Sequence, residues 1–226
     1  MNILIVGNQQ QQAEFNTKFS HLGSDNIALA NSLVEPQAEA AHAIFDFTID
    51  QAPEVFQKYH KLSPSKVVFS HTVKHSLNAL CAQYGKPACS IFGFNGLPAF
   101  FDKPQLELTA GPDVPTDQLT AIMAFLKAEY LLVHDRVGMV SPRPIVMVIN
   151  EAYYTLQEGT ANKADIDKGM KLGTGYPHGP FEWCSLIGIE HVYQLLEALW
   201  HDTKEERYKI CPLLKQEYYQ QLMTTG

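Results

Sequence analysis

A tight turn follows the first apolar run of the chain, residues 2–6, and its residue types could bind phosphate. A dinucleotide-binding loop has the pattern Gly-x-Gly-x-x-Gly, because bare backbone must approach the pyrophosphate at a helix N-terminus. The corresponding positions read Gly7-Asn8-Gln9-Gln10-Gln11-Gln12, so one glycine of three is present. The candidate cofactor contacts are therefore Gly7, Asn8 and Gln9, and the alternative is a strand-to-helix turn that binds no ligand.

The side chains of this turn argue for the alternative. We expect Gln9 and Gln12 to crowd both the approach of a phosphate and the packing of the helix on the strand. The acidic residue that usually holds a ribose at the end of the second strand is also absent, and Asn31 is nearest to that place. Asn31 thus completes the set of candidate cofactor-binding residues.

Two histidines, His71 and His75, stand at the end of a predicted strand, directly after Ser70 and shortly beyond it. The carboxyl end of a strand in an open α/β sheet faces the ligand crevice, and the pKa of histidine suits proton transfer. His71 is therefore the candidate for acid–base catalysis, and the alternative is a hydrogen-bonded loop histidine.

The histidines lack metal-site spacing, so we predict no metal. The four cysteines lack a Cys-x-x-Cys pair, which is typical of buried, reduced thiols in a cytoplasmic protein.

The composition is that of a globular protein. Of 226 residues, 46 % are apolar, which is enough for a packed core, and the formal net charge is −7. This acidic balance disfavours a nucleic-acid partner. The sequence has no apolar run long enough to span a membrane, and the N-terminus lacks the pattern of a secretory leader, so we expect it to form the first strand.

Strand-like and helix-like segments alternate in the first half of the chain. Helices are predicted near residues 9–20, 52–60 and 73–84. Strands are predicted at residues 2–6, 27–30, 43–49, 67–71, 88–92, 106–110 and 130–134. This alternation predicts an α/β fold with a shortened, Rossmann-like, mainly parallel sheet. From residue 136 the apolar period is helical, so the predicted domains are residues 1–135 and an all-α domain over residues 136–226.

A series of motifs in the second half carries a family resemblance. They are Asn150-Glu151-Ala152, Glu158-Gly159, Asp165-Ile166-Asp167, the run from Gly173 to Phe181 and Ile187-Gly188-Ile189. In order and spacing this segment resembles the helical C-terminal domain of the 3-hydroxyacyl-CoA dehydrogenase family. The resemblance implies NAD as cofactor, acyl-CoA thioesters of fatty acid metabolism as substrates, and a homodimer that pairs through the helical domain.

The family's catalytic base is a histidine that opens a His-Phe-Phe-Asn-Pro run. The matching run is Phe92-Gly93-Phe94-Asn95-Gly96, so Phe92 stands where the base should be, and its ring cannot accept a proton. The resemblance gives Glu107 as the candidate for the carboxylate that orients the base, although it lies three residues further from position 92 than in the family. The alternative is a surface carboxylate on an edge strand.

Two substrate contacts of the family are altered as well. A serine in an Asn-Thr-Ser run is matched by His71-Thr72-Val73, and an asparagine before arginine is matched by Pro142-Arg143. Thr72, Pro142 and Arg143 are the substrate-binding candidates that remain. Three functions stay open: a divergent, non-catalytic member (a pseudoenzyme) that binds an acyl-CoA, a nucleotide or a protein; an active oxidoreductase with a relocated base; and a regulatory or interaction subunit.

Overall fold

The computed structural model describes residues 1–225 and divides them into two compact units. One consists of Met1–Gly96 and Phe100–Met139, and the other of Leu97–Ala99 and the chain from Val140 onward. The observed division after Met139 lies four residues beyond the boundary expected from the sequence. Within residues 1–225, each helix is too short or too polar to cross a membrane.

The first unit is built on one seven-stranded sheet, counted over the described residues. Its strands are β1 (Ile3–Val6), β2 (Ile27–Ala30), β3 (Ala43–Asp46), β4 (Val67–His71), β5 (Ser90–Phe94), β6 (Gln105–Ala110) and β7 (Glu129–Val133). The spatial order is β2-β1-β3-β4-β5-β6-β7, and each neighbouring pair is parallel except β5 and β6. The predicted α/β class with a mainly parallel sheet is therefore confirmed.

Successive side chains along each strand point to opposite faces of the sheet and contribute to two apolar layers, one on each face. Helices α1 (Gln9–Lys18) and α4 (Asp117–Leu126) cover one face of the sheet through residues such as Phe15 and Leu119. Helices α2 (Glu35–Ala40) and α3 (Leu77–Tyr84), with a 3-10 helix over Pro53–Lys61, cover the other. Burial of both faces explains why the inner strands read as continuous apolar runs.

Three predicted elements were wrong in their bounds. The strand expected over residues 43–49 ends at Asp46, because the Asp46 carboxylate accepts the Thr48 N–H (2.9 Å) and turns the chain. The helix expected from residue 73 starts at Leu77, where the Ser76 hydroxyl caps it by accepting the Ala79 N–H (3.1 Å). Strand β5 lies two residues later than expected, so Phe92 is at its centre.

The second unit is helical. Its helices are α5 (Pro142–Gln157), α6 (Lys163–Thr174), α7 (Pro180–Ile187), α8 (Ile189–Thr203) and α9 (Pro212–Thr225). The Asp167 carboxylate accepts the N–H groups of Phe181 (2.8 Å) and Glu182 (3.2 Å) at the start of α7. A methyl group on Gly179 would lie 2.3 Å from Asp167 Oδ1, so this contact requires glycine. The Gly-Pro run before α7 thus has a structural use, as its turn chemistry suggests.

Candidate functional site

The turn after β1 is closed by hydrogen bonds among its own side chains. Asn8 is the N-cap of α1, and its Oδ1 accepts the Gln11 N–H (2.9 Å), while Gln11 Oε1 accepts the Asn8 N–H (2.9 Å). This is a capping box, in which two backbone donors of the helix start are satisfied internally. In a phosphate-binding loop such donors point at the ligand. A methyl group on Gly7 would lie 2.6 Å from Gln11 Oε1, so the folded-back glutamine itself requires this glycine.

The Gln12 side chain occupies the position of the third glycine of a nucleotide loop. Its Nε2 donates to the carbonyl oxygens of Gly7 (2.8 Å) and Ala30 (3.1 Å), and lies 3.4 Å from Asn31 Oδ1. One amide therefore joins the ends of β1 and β2, at the position where a nucleotide loop has a glycine for close packing of the helix on the strand. Asn8, Gln9 and Asn31 are exposed, and the Gly7 N–H donates to the Ala30 carbonyl (3.0 Å), so the turn lies beside the end of β2. The donor set, however, does not fit a bound pyrophosphate.

His71 ends β4 and forms a buried pair with Asp50, which follows β3. His71 Nδ1 accepts the Gly96 N–H (3.0 Å), which leaves the ring proton on Nε2, 3.3 Å from Asp50 Oδ2. The Asp50 carboxylate also accepts the N–H groups of Val73 and Lys74 (both 3.0 Å). His71 is only 3 % exposed, so both ring nitrogens of the predicted acid–base residue are engaged within the protein.

Burial shifts the pKa values of Asp50 and His71 in opposite directions. It raises the pKa of Asp50 to about 6, against the lowering effect of the Lys74 and His75 charges and of two backbone N–H groups. It lowers the pKa of His71 to about 3, and the Lys74 charge acts in the same direction. At neutral pH the pair is therefore a carboxylate that accepts a hydrogen bond from a neutral imidazole.

We predict that His71 makes the stability of the protein sensitive to acid. Unfolded histidine binds a proton near pH 6.5, whereas folded His71 stays neutral down to about pH 3. The stability contributed by neutral His71 is thus present above pH 6.5 and decreases as the pH falls. The advantage in unfolding free energy of wild type over His71→Asn should shrink by about 3 kcal/mol between pH 6.5 and 4. Urea unfolding at several pH values measures it, and a pH-independent difference would contradict it.

A second buried carboxylate, Asp46, stands at the end of β3. Its Oδ2 accepts the Tyr59 hydroxyl proton (3.0 Å), and its Oδ1 accepts the Thr48 hydroxyl proton (2.6 Å). Burial raises the pKa of Asp46, and these hydrogen bonds oppose the shift. Sequence reasoning missed both Asp46 and Asp50. The available signal was one aspartate within the strand predicted at residues 43–49 and a second directly after it, near the end of a strand where polar groups meet in such sheets.

Phe92 lies in the aromatic layer of the sheet. Its side chain is fully buried, and its ring stacks on that of Phe69, with 5.5 Å between centroids. At the strand ends nearby, Phe94 packs edge-on against Phe47 (4.8 Å) and Phe101 (5.8 Å), and is also fully buried. The position that matches the family's base is therefore part of a buried cluster of aromatic rings, to which Phe94 also belongs.

Glu107 does not stand on an edge strand, so that alternative was wrong. Strand β6 is flanked by β5 and β7, and β7 is the edge. The Glu107 carbonyl accepts the Asn95 N–H (3.1 Å), and its side chain is half-buried. Its role as an orienting carboxylate stays a prediction.

The substrate candidates are placed in both units. Thr72 is 1 % exposed, and its hydroxyl donates to the Ser70 carbonyl (3.3 Å). In the helical unit, Pro142 starts α5 and is buried, and the Arg143 guanidinium lies against Tyr208, with Nη1 3.4 Å from its hydroxyl. The hydroxyl of Thr72 and the charge of Arg143 thus have partners within their own units.

Comparison with known proteins agrees with the motifs of the helical unit. Residues 138–224 match the family model described as 3-hydroxyacyl-CoA dehydrogenase, C-terminal domain. The chain is 45 % identical over 86 residues to 3-hydroxyadipyl-CoA dehydrogenase of Escherichia coli, covering 38 % of this chain and 18 % of that protein. It is 30 % identical over 159 residues to 3-hydroxybutyryl-CoA dehydrogenase of Bradyrhizobium diazoefficiens, covering 68 % and 53 %. The match therefore spans about half or less of these relatives' own length.

The fold also matches solved structures. The crystal structure of M. tuberculosis FadB2 superposes with a TM-score of 0.76, covering 96 % of this chain and 93 % of that one, at 16 % sequence identity. At this identity the likeness concerns the fold, in which a Rossmann-like sheet is joined to a helical unit.

Proposed function

Because this chain belongs to the 3-hydroxyacyl-CoA dehydrogenase family, we propose that it is a member that no longer carries out NAD-dependent oxidation of 3-hydroxyacyl-CoA. It would act instead as a binding protein for an acyl-CoA, a nucleotide or a protein partner, assembled as a homodimer through its helical unit. The family is NAD-dependent, so the state of the cofactor site decides between the two roles. The observation that carries the proposal is the Gln12 amide bound to the carbonyls of Gly7 and Ala30.

The chemistry of hydride transfer needs groups that this chain lacks at the matching places. A base must take the proton of the substrate hydroxyl, and Phe92 offers none. His71, the alternative base, is held as an acceptor at Nδ1 and faces Asp50 at Nε2. To act on a substrate it would have to break one of these contacts and reach solvent from a buried position. The active-oxidoreductase alternative therefore requires a rearrangement of the loop after β4.

An interaction subunit remains a second candidate, favoured by apolar side chains on the helical unit. Leu172 is 77 % exposed and Met223 is 76 % exposed, whereas large apolar side chains of this size are commonly buried. A copy of the chain or a full-length relative could cover such side chains. Light scattering of the purified protein, alone and mixed with a relative, separates the homodimer from the mixed complex.

We predict that the reduced nicotinamide ring of NADH finds no enclosed site in this protein. Its fluorescence increases when a protein shields the ring from water, so the titration reports on that end of the cofactor alone. We expect the NADH emission to change only by dilution as protein is added up to millimolar concentration. The 3-hydroxybutyryl-CoA dehydrogenase of Bradyrhizobium diazoefficiens serves as the positive control. A saturable rise in emission would contradict the proposal.

A further inference from the structure

Within residues 1–225, the sheet of the first unit ends at two edge strands, and β7 is the longer of them. Its sequence is Glu129-Tyr130-Leu131-Leu132-Val133. Leu131 and Leu132 are 42 % and 44 % exposed. Because successive residues of a strand point to opposite faces, an exposed leucine lies on each face of the sheet at this edge.

The backbone of β7 is bonded to a neighbouring strand on one side. Strand β6 pairs with it in parallel, and over residues 1–225 no backbone–backbone bond outside this ladder involves Glu129–Val133. In a parallel ladder alternate residues bond to one neighbour, so the residues between them present N–H and C=O groups at the open edge. Edge strands are commonly protected by lysine, proline or a bulge, whereas the one charge of β7 is Glu129, at its first position. The edge therefore offers both backbone groups and apolar side chains to a further strand.

We propose that β7 pairs in antiparallel orientation with β7 of a second copy of this chain, which joins the two sheets edge to edge. A twofold axis perpendicular to the sheet brings identical edges together in this orientation. In an antiparallel pair, two opposed residues either both bond across the pair or both point away from it. A symmetric pair must therefore place one residue opposite its own copy, and Leu131 and Leu132 are the central choices.

The charges at the ends of β7 select the pairing that is centred on Leu131. With Leu132 on the axis, Glu129 would face the partner's Asp135, and like charges directly opposite each other destabilise a pair. With Leu131 on the axis, Lys127 faces the partner's Asp135 instead, and opposite charges stabilise a pair. The sequence of β7 and its flanks is thus complementary to itself in one register.

The pairing centred on Leu131 also opposes apolar side chains. Tyr130 faces the partner's Leu132, on the side of the sheet where Tyr130 already packs against the apolar core. On the other side, Leu131 meets its own copy, and the partner's Val133 faces the stem of Glu129. Edges of five residues bury less than the about 1,600 Å² of a standard interface, so we expect this pair to dissociate on dilution through the micromolar range.

Light scattering of the variant Leu131→Lys tests the inference. The substitution places two ammonium groups opposite each other on the axis, so we expect half the wild-type mass at submillimolar protein concentration. This interface is separate from the helical-unit pairing of the proposed function. The mass falls from tetramer to dimer if the helical units also pair and from dimer to monomer if they do not, so the two interfaces are tested independently.

A matched control uses the other edge strand of the same sheet. Leu29→Lys introduces the same charge at a 46 % exposed leucine of β2 and should leave the mass unchanged. Thermal unfolding midpoints equal to that of wild type show that both variants are folded.

The variant Leu131→Cys gives a second readout that leaves the pairing intact. Opposed residues of an antiparallel pair have Cα atoms about 4.5–5.5 Å apart, which suits a disulfide. We expect oxidised glutathione to convert this variant into a covalent dimer, and to leave wild type, with its four free cysteines, and Leu29→Cys without one. The inference is overturned if Leu131→Lys keeps the wild-type mass, if Leu29→Lys lowers the mass equally, or if Leu131→Cys forms no more covalent dimer than Leu29→Cys.

Discussion

Phe92→His is expected to lower the free energy of unfolding by about 2–5 kcal/mol. We also expect this variant to have no dehydrogenase activity. The substitution returns histidine to the position of the family's base. In this fold, however, residue 92 is fully buried at the centre of β5 and packs against Phe69. The smaller, polar imidazole would lose ring packing and bury a donor and an acceptor in an apolar layer. Urea unfolding measures the loss.

Phe92→Leu is the matched control for this prediction. It also removes the aromatic ring but keeps an apolar side chain, so we expect a loss of about 1–2 kcal/mol. The difference between the two variants isolates the cost of burying the imidazole. If Phe92→His were as stable as Phe92→Leu and reduced an acyl-CoA substrate with NADH, position 92 would open onto a working site and our account of the aromatic layer would be wrong.

The fold could be predicted from sequence because it follows from local patterns. Short apolar runs such as residues 3–6 and 67–71 alternate with helix-like segments, and both faces of a parallel sheet are buried. The predicted bounds of the strands and helices were wrong where a single side chain, by its hydrogen bond, determines the path of the backbone. Asp46 ends β3 by bonding the Thr48 N–H, and no apolar pattern reports such a bond.

The candidate site could be predicted only in part. The missing glycines predict that the loop after β1 is altered, yet the bonds from Gln12 to Gly7 and Ala30 depend on how β1 and β2 lie side by side. His71 lies at the carboxyl end of β4, where the sequence predicts a strand end, and its catalytic role stays a prediction. Its partner Asp50 is 21 residues away in sequence and becomes a neighbour only because β3 and β4 pair in parallel. Sequence spacing does not encode such contacts.

The largest effect that we expect concerns turnover. The absence of a base at position 92 alone should lower the rate by about 10²–10⁴-fold relative to an active family member. The closed turn after β1 adds to this, because a cofactor that is not held in register loses the advantage of proximity to the substrate. The buried Thr72 hydroxyl, bonded to the Ser70 carbonyl, offers no compensation in this arrangement.

The most direct test of our central claim, that this chain has kept the fold and lost the reaction, is the NADH-dependent reduction of acetoacetyl-CoA by the purified protein. The assay follows the loss of NADH absorbance, with the Bradyrhizobium diazoefficiens enzyme under the same conditions as the positive control. We predict a rate equal to that of buffer, or at least about 10²-fold below the control. A rate within tenfold of the control, proportional to the concentration of this protein, would contradict the claim.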